Sequence, residues 1–486
     1  MAGDPGVRRV LCCLVLAMLG CSCAGTGAAR PAAPTPVASK LSRAETAFLD
    51  TLERRTFSWF WDLSDAKTGL TPDRWPTKSF SSVAAVGFAL TAYPIGAERH
   101  YVTRTAAAER VLTTLEWFWR AKQDSTATGA TGYHGFFYHF LDPATGTRFK
   151  DVELSTQDTA LLLAGVLFCQ SYFDRSDPRE FRIRAVAESL VDRVEWDWAT
   201  VRPPSIVLGW DPEHGFMKED WGGLNETAIL HVIALGSPTH PAADGVWKHY
   251  TKTYRWGSDH GQEYLGFAPL FGHQYTQVWV DFRGIRDGYM RAKGVDYFEN
   301  SRRATLAQRG YAIENPQGYR GYGPDFWGLT ACDGPLDATL ELHGRKRTFM
   351  TYAARGTCFT ETRDDGTVAP TAAGGSLPFA PEVALPALMS MRDRYGGEVF
   401  GRYGFVDALC PTLDETVRIQ MGRIVPGVGW FDSDQLGIDQ GPILAMAENL
   451  RSGLVWRHMR KNPHIVRGLK RAGFTGGWLD AGNGAR

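Results

Sequence analysis

Ser155-Thr-Gln-Asp-Thr-Ala-Leu-Leu-Leu-Ala-Gly-Val-Leu-Phe168 opens on polar residues and is then apolar at nearly every position. A helix with no polar face has to be enclosed by protein on all sides. Outward from this segment, apolar residues recur at a period near 3.6 over 44–61, 81–93, 105–119, 156–173, 179–194, 225–235, 296–311, 381–395 and 437–450, and strand alternation is scarce. Several of these segments carry charged outer faces. Wholly apolar helices mixed with amphipathic ones suit two concentric layers, so the chain reads as all-α, an α/α toroid of paired helices.

Between the helices lie long segments rich in Gly, Pro and aromatic residues, at 65–78, 128–152, 203–223, 257–273, 318–334 and 364–379, with hairpins expected near 133–150 and 338–351. Loops of this length in a compact domain are usually functional, and here they are expected to gather as a cleft at one end of the toroid. No linker-like composition interrupts 41–475, which reads as one domain, with 476–486 as a C-terminal tail.

The first residues read differently. Arg8 and Arg9 precede the apolar run from Val10 to Leu19 and then Gly20-Cys21-Ser22, the pattern of a signal peptide over 1–21. Met18-Leu-Gly-Cys21 resembles a bacterial lipobox, which nominates Cys21 for lipidation, and 22–40, rich in Ala, Pro and Thr, reads as a flexible tether. The expectation is an exported bacterial protein, periplasmic or anchored to the outer membrane as a lipoprotein, touching the membrane only through that anchor. With 53 basic and 53 acidic residues the formal charge is zero, which gives nucleic acid and anionic surfaces no purchase. Cys169, Cys332, Cys358 and Cys410 leave room for one or two disulfides without selecting a pairing. No zinc-type Cys/His spacing, P-loop or dinucleotide fingerprint is present, so neither a metal nor a cofactor is expected.

Chemistry points to carboxylates. Trp221-Gly-Gly-Leu-Asn-Glu226 places a carboxyl group beside an indole where an apolar helix begins. A general acid for glycoside cleavage needs a carboxyl group whose pKa burial has raised, and an aromatic neighbour offers a stacking surface for a sugar. The competing reading is that Asn225 and Glu226 only cap the helix. Asp151-Val-Glu153-Leu-Ser-Thr-Gln-Asp158 sets further carboxylates before the apolar segment at 160–168, where Ser155 and Asp158 also resemble a capping box. By residue type Glu153, Asp158, Asp333, Glu382 and Asp439 all qualify as the second carboxylate of an acid/base pair.

Several stretches together resemble the bacterial glucoamylase-like family, whose characterised members in glycoside hydrolase family 144 are endo-β-1,2-glucanases. They are Thr56-Phe-Ser-Trp-Phe-Trp61, Thr68-Gly-Leu-Thr-Pro-Asp-Arg74, Ser155 to Gly165, Trp221 to Glu226, Trp327-Gly-Leu-Thr-Ala331, Val368 to Phe379, Gly437-Ile-Asp-Gln-Gly-Pro442 and Glu448 to Trp456. The resemblance implies an (α/α)6 barrel, no cofactor and inverting hydrolysis of a β-linked glucan, with β-glucan as the partner molecule. On it Glu226 is the acid, Asp158 and Glu153 supply further catalytic carboxylates, and the base is one of those two. The matching stretches and loops nominate Trp61, Arg74, Trp221, Asn225, Trp327, Asp333, Phe379, Glu382, Asp439 and Gln440 for substrate binding. Cys332 stands where the family is expected to carry Ser. The alternatives are a transglycosylase or other glucosidase of the same fold, and a glycan-binding lipoprotein without catalysis.

Overall fold

A computed structural model describes residues 41–481, and the expected signal peptide, tether and Cys21 lipidation site lie outside the described residues. Helices dominate. In chain order they are α1 (Arg43–Leu63), α2 (Val83–Glu98), α3 (Arg104–Arg120), α4 (Thr156–Tyr172), α5 (Pro178–Asp192) and α6 (Ala228–Gly236). There follow α7 (Val246–Tyr250), α8 (Phe271–Trp279), α9 (Gly288–Lys293), α10 (Tyr297–Glu314) and α11 (Pro370–Gly374). The chain ends in α12 (Pro381–Tyr395), α13 (Gly437–Arg451), α14 (Leu454–Met459), α15 (Pro463–Arg471) and α16 (Gly477–Ala481).

Local chemistry starts the long helices where the sequence suggests. Ser42 caps α1 in a reciprocal capping box with Glu45, Ser82 caps α2, Ser155 caps α4, and Asp177 caps α5 ahead of Pro178. Burial then separates two kinds of helix. α2 is buried from Val83 to Ala97 and α4 from Thr156 to Cys169, and every residue of α6 and α11 is buried. α1, α3 and α5 instead bury one face. The enclosed helices are neighbours: α2 packs on α4 and α13, α4 on α6, α6 on α8, and α13 on α8 and α11. α8 also reaches α11 through Gln274 Nε2, which donates to Ala372 O at 2.8 Å. The outer partner of α6 is α15, from the far end of the chain.

The α2–α4 crossing is set by two glycines. A Cβ on Gly87 would lie 2.2 Å from Leu161 O, and one on Gly165 would lie 2.2 Å from Gly87 O. The backbones therefore touch where any side chain would hold them apart. Gly165→Val is expected to cost at least ~1–3 kcal/mol through overpacking, read as a lower midpoint in chemical unfolding.

Strands are short and sit at the helix starts. Ser81–Ser82 pairs with Phe140–Leu141 just before α2, and Arg74–Trp75 pairs with Gln435–Leu436 just before α13. Leu154–Ser155 lies at the centre of a five-stranded sheet and runs directly into α4. The expected hairpins are present, with Phe136–Tyr138 in that sheet and Ala338–Leu342 paired to Arg345–Phe349. Pairing beside helix N-termini is what brings distant loops to one end of the helical layer.

Three expectations change. The four cysteines within the described residues are buried and unpaired, so they form no disulfide there. The folded region passes the expected boundary at 475, because Leu479 of α16 is buried and Trp478 Nε1 donates to Asp281 O at 2.8 Å. Helix α11 lies within a segment read as loop, 364–379, and α8 begins inside another, 257–273, and continues through residues assigned to no helix. Among the described residues no helix is long and apolar enough to cross a membrane.

Candidate active site

The start of α6 resolves the rivalry between capping and chemistry by dividing the two residues. Asn225 shapes the turn before α6, whose N-cap is Thr227: Asn225 Oδ1 accepts from Thr227 N at 3.0 Å, from Thr227 Oγ1 at 2.5 Å and from Tyr250 OH at 3.2 Å. Its side-chain oxygen is engaged in shaping the turn. Glu226 is fixed by its backbone instead, its carbonyl accepting from Gln157 Nε2 of α4 at 3.2 Å and from Thr276 Oγ1 of α8 at 3.1 Å. Two inner helices thus hold the residue, which stays half-buried. Burial lifts that carboxyl to about 7, against the pull of its own backbone N–H and with the negative charge of Asp158 adding to the rise. Such a group is protonated in mildly acidic solution and can donate a proton. Trp221 stands beside it, its Nε1 donating to Thr156 Oγ1 at 2.9 Å.

Across from Glu226, three titratable groups form a unit at the start of α4. His139 Nδ1 lies 2.8 Å from Glu153 Oε1, and its Nε2 lies 3.5 Å from Asp158 Oδ1. Burial alone would lower the imidazole, but the charges of Asp158 and Glu153 outweigh it and raise His139 to about 9. The ring is therefore an imidazolium at neutral pH. For Glu153, burial pushes up and His139 pulls down, with His139 prevailing, so this carboxylate lies below its ordinary range. For Asp158 burial prevails over His139 and over Ser155 Oγ, which donates to its Oδ2 at 2.5 Å, and its carboxyl lies above the ordinary range. The two carboxylates share one cation yet are tuned in opposite directions.

A second acidic group continues the same end of the fold. Arg74 Nη1 donates to Asp333 Oδ2 at 2.6 Å and its Nε to Asp73 Oδ2 at 3.2 Å, with Asp434 Oδ2 at 3.7 Å. Asp407 Oδ2 accepts from Asp333 N at 2.7 Å. Asp439, in the first turn of α13, accepts from Tyr275 OH at 3.4 Å, and burial raises its carboxyl to about 7. Tyr275 ties the two groups together, since its hydroxyl feels the charges of both Asp439 and Glu226. Tyr352, 44 % exposed, lies among Asp439, Asp407, Asp333 and Asp73 and presents a ring to solvent. Carboxylates, one guanidinium and open aromatic rings together suit a polyhydroxylated neutral ligand.

The structure brings Glu226, Asp158, Glu153, Arg74, Trp221, Asp333 and Asp439 to this end, and it assigns other nominated residues elsewhere. Asn225 serves the turn, as described. Trp61 stacks on Phe57, meets Tyr93 edge-on and lies under the Arg110 guanidinium, so it fills the α1–α2–α3 interface. Trp327 is 0 % exposed, and Phe379 is buried against Phe298; both are core residues. Glu382 is on the outer helix α12, in an exposed pair with Arg302 at 2.5 Å. Gln440 Nε2 donates to Phe405 O at 2.8 Å and holds a loop. His139, Asp73, Tyr275, Tyr352 and Asp407 were not anticipated. A surface depression of about 580 Å³ lined by Gln170, Arg184, Glu188 and Asn462 opens at the other end of α4, about 18 Å along the helix from Asp158.

Similarity to known proteins follows the same lines. Residues 218–463 match the family model described as "Putative glucoamylase". A crystal structure of the same description from Bacteroides uniformis is 31% identical, with TM-score 0.76, covering 91% of this chain and 100% of that one. The endo-beta-1,2-glucanase of Chitinophaga pinensis, solved with sophorotriose and glucose, is 27% identical, with TM-score 0.76, covering 90% of this chain and 100% of that one. Among curated proteins, the exo beta-1,2-glucooligosaccharide sophorohydrolase of Parabacteroides distasonis is 27% identical over an alignment of 457 residues that covers 87% of this chain. The chain spans 57% of the length of that relative.

Proposed function

The chain belongs to the glucoamylase-like family of these structures, and from that premise we propose that it hydrolyses β-1,2-glucan by an inverting acid/base mechanism, cutting within the chain. The observation that carries the reading is Glu226, a carboxyl group poised near neutrality and fixed by its backbone between α4 and α8. Glu226 protonates the glycosidic oxygen. Asp158, whose charge is felt at Glu226, takes a proton from the attacking water on the opposite face of the sugar, and Glu153 keeps His139 charged beside it. An inverting pair leaves room for that water, with carboxyl groups ~6.5–9.5 Å apart. Arg74, Asp439, Trp221 and Tyr352 bind the sugar hydroxyls and ring faces, and the buried Asp333 orients Arg74. The neighbour contacts of the inner helices support a closed (α/α)6 barrel, and the first 21 residues support export, with mass spectrometry of Cys21 as the test of its lipidation.

Product analysis of linear β-1,2-glucan by chromatography and NMR tests the reading. A ladder of oligosaccharides released first as the α-anomer is the expected result. An exo reading is favoured by the similarity to the sophorohydrolase, and disaccharide alone from the earliest time point would replace endo by exo cutting. Longer or cyclic products without new reducing ends would indicate transglycosylation, and binding without cleavage would overturn the enzyme reading.

His139 offers a separate check on the base. His139→Gln keeps a hydrogen-bond donor and removes the positive charge, which should lower kcat by up to ~10²-fold as the carboxylates lose their shared anchor. Because the imidazolium lowers its neighbours, removing it raises their pKa values, and the acidic limb of the pH–rate profile should move to higher pH. A limb that stays in place would detach His139 from the base.

A further inference from the structure

Asp333, Asp407 and Asp432 follow three separate strands, Ala331–Cys332, Gly404–Phe405 and Gly429–Phe431. Each offers an oxygen within 4.8 Å of those of the other two, and their exposures are 0, 2 and 1 %. One oxygen of each carboxylate is engaged. Asp333 Oδ2 accepts from Arg74 Nη1 at 2.6 Å, Asp407 Oδ2 from Asp333 N at 2.7 Å, and Asp432 Oδ1 from Ser433 N at 2.7 Å and Asp434 N at 3.3 Å. The other oxygens, Asp333 Oδ1, Asp407 Oδ1 and Asp432 Oδ2, are buried without any hydrogen-bond partner. Buried acceptors are seldom left so, and one oxygen oriented by the protein with the other free is how carboxylate ligands of a metal are commonly arranged.

We propose that Asp333, Asp407 and Asp432 bind a hard divalent cation, calcium by preference, which ties together the three segments that carry them. The donors are all oxygens, with no histidine or thiolate in the set, which selects calcium or magnesium over zinc or copper. The three oxygens lie within 4.8 Å of one another in a site closed to solvent, and such a protein-lined cage suits calcium better than magnesium, which gives up its bound waters reluctantly. Charge argues the same way. Arg74 reaches Asp333, but the nearby Arg355 is committed to Asp365, to which Nε and Nη2 each donate at 2.8 Å. Arg74 is thus left to offset three buried carboxylates, and a divalent ion would supply the further positive charge. The sequence expectation of no metal rested on Cys/His spacing, which cannot reveal three aspartates spread from 333 to 432.

The test is calorimetric. Full-length protein is stripped with EDTA, freed of the chelator and titrated with calcium chloride, with magnesium chloride for comparison and elemental analysis to count bound metal. The expected result is one calcium per chain, a thermal midpoint higher in calcium than in EDTA, and affinity at least ~10-fold weaker in Asp407→Asn and Asp432→Asn. No binding heat together with equal midpoints in calcium and EDTA would overturn the proposal in favour of carboxyls that share protons. Undiminished calcium affinity in both variants would also overturn it, by placing the ion elsewhere. The wild-type titration decides even if the variants fail to fold.

Discussion

Glu226→Gln is expected to lower turnover on β-1,2-glucan by at least ~10²-fold, the lower end for losing an acid/base group, with folding intact. The glutamine keeps the size of the side chain and the backbone clamp from Gln157 and Thr276, so binding should survive. The pH dependence makes the prediction sharper. A general acid works only when protonated, and this carboxyl titrates at about 7, so wild-type kcat/KM should fall as pH rises through that value. The residual activity of the variant should lack that alkaline limb. Steady-state rates across pH 5 to 9 would check both, and turnover within a few-fold of wild type would remove Glu226 from the acid role.

The same shift has a stability consequence of definite sign. A carboxyl group raised from 4.5 to about 7 in the folded state favours folding in its protonated form, fully so below the unfolded value. That contribution is lost as pH rises through the folded value. Glutamine has no such loss, so the variant should gain stability relative to wild type between pH 5 and pH 8. An enzyme that becomes more stable on losing its acid is trading stability for chemistry, and a variant merely damaged in its fold would move the other way.

The inner helices were legible where burial left an apolar signature and illegible where it did not. The run at 160–168 announces α4 because its sides are all apolar. α8 is as deeply enclosed, yet His273, Gln274, Thr276 and Gln277 are buried polar residues, with Gln274, Thr276 and Gln277 reaching partners on other segments, so no apolar period marks it in the sequence. α11 is a single turn and too short for any period to show. The site divides similarly. Glu226 and Asp158 stand at the starts of readable helices. His139 becomes visible only through strand pairing, since Tyr138 opposite Leu154 brings His139 level with Glu153. Trp61, Trp327 and Phe379 show the converse error: ring type reveals an aromatic's size, and only packing decides whether it faces core or cleft. Tyr352, the open ring among the aspartates, had no distinguishing pattern in the sequence.

Arg355→Met should cost about 3–5 kcal/mol, because it strands a buried carboxylate. Arg355 is 0 % exposed and reads Asp365 in a fork, Nε to Oδ1 and Nη2 to Oδ2, each at 2.8 Å. Its remaining protons go to backbone: Nη1 to Cys332 O at 2.8 Å and Asp333 O at 3.3 Å, Nη2 to Met350 O at 2.9 Å and Thr351 O at 3.1 Å. One guanidinium therefore aligns the chain on either side of Asp333 and just before Tyr352. For Asp365 burial pushes the pKa up and Arg355 pulls it below the ordinary range, so this pair stabilises the fold above the unfolded carboxylate value and ceases to do so as pH falls through the lower folded one. Denaturant titrations at neutral and acidic pH should show the cost of Arg355→Met shrinking in acid, where Asp365 is protonated. Replacing both partners, as Arg355→Met with Asp365→Leu, should restore much of the stability, since apolar neighbours can substitute for a buried pair. It should not restore activity, because the carbonyls before Asp333 and Tyr352 would still lack their donor. Recovery of activity along with stability would show that Arg355 serves the fold alone.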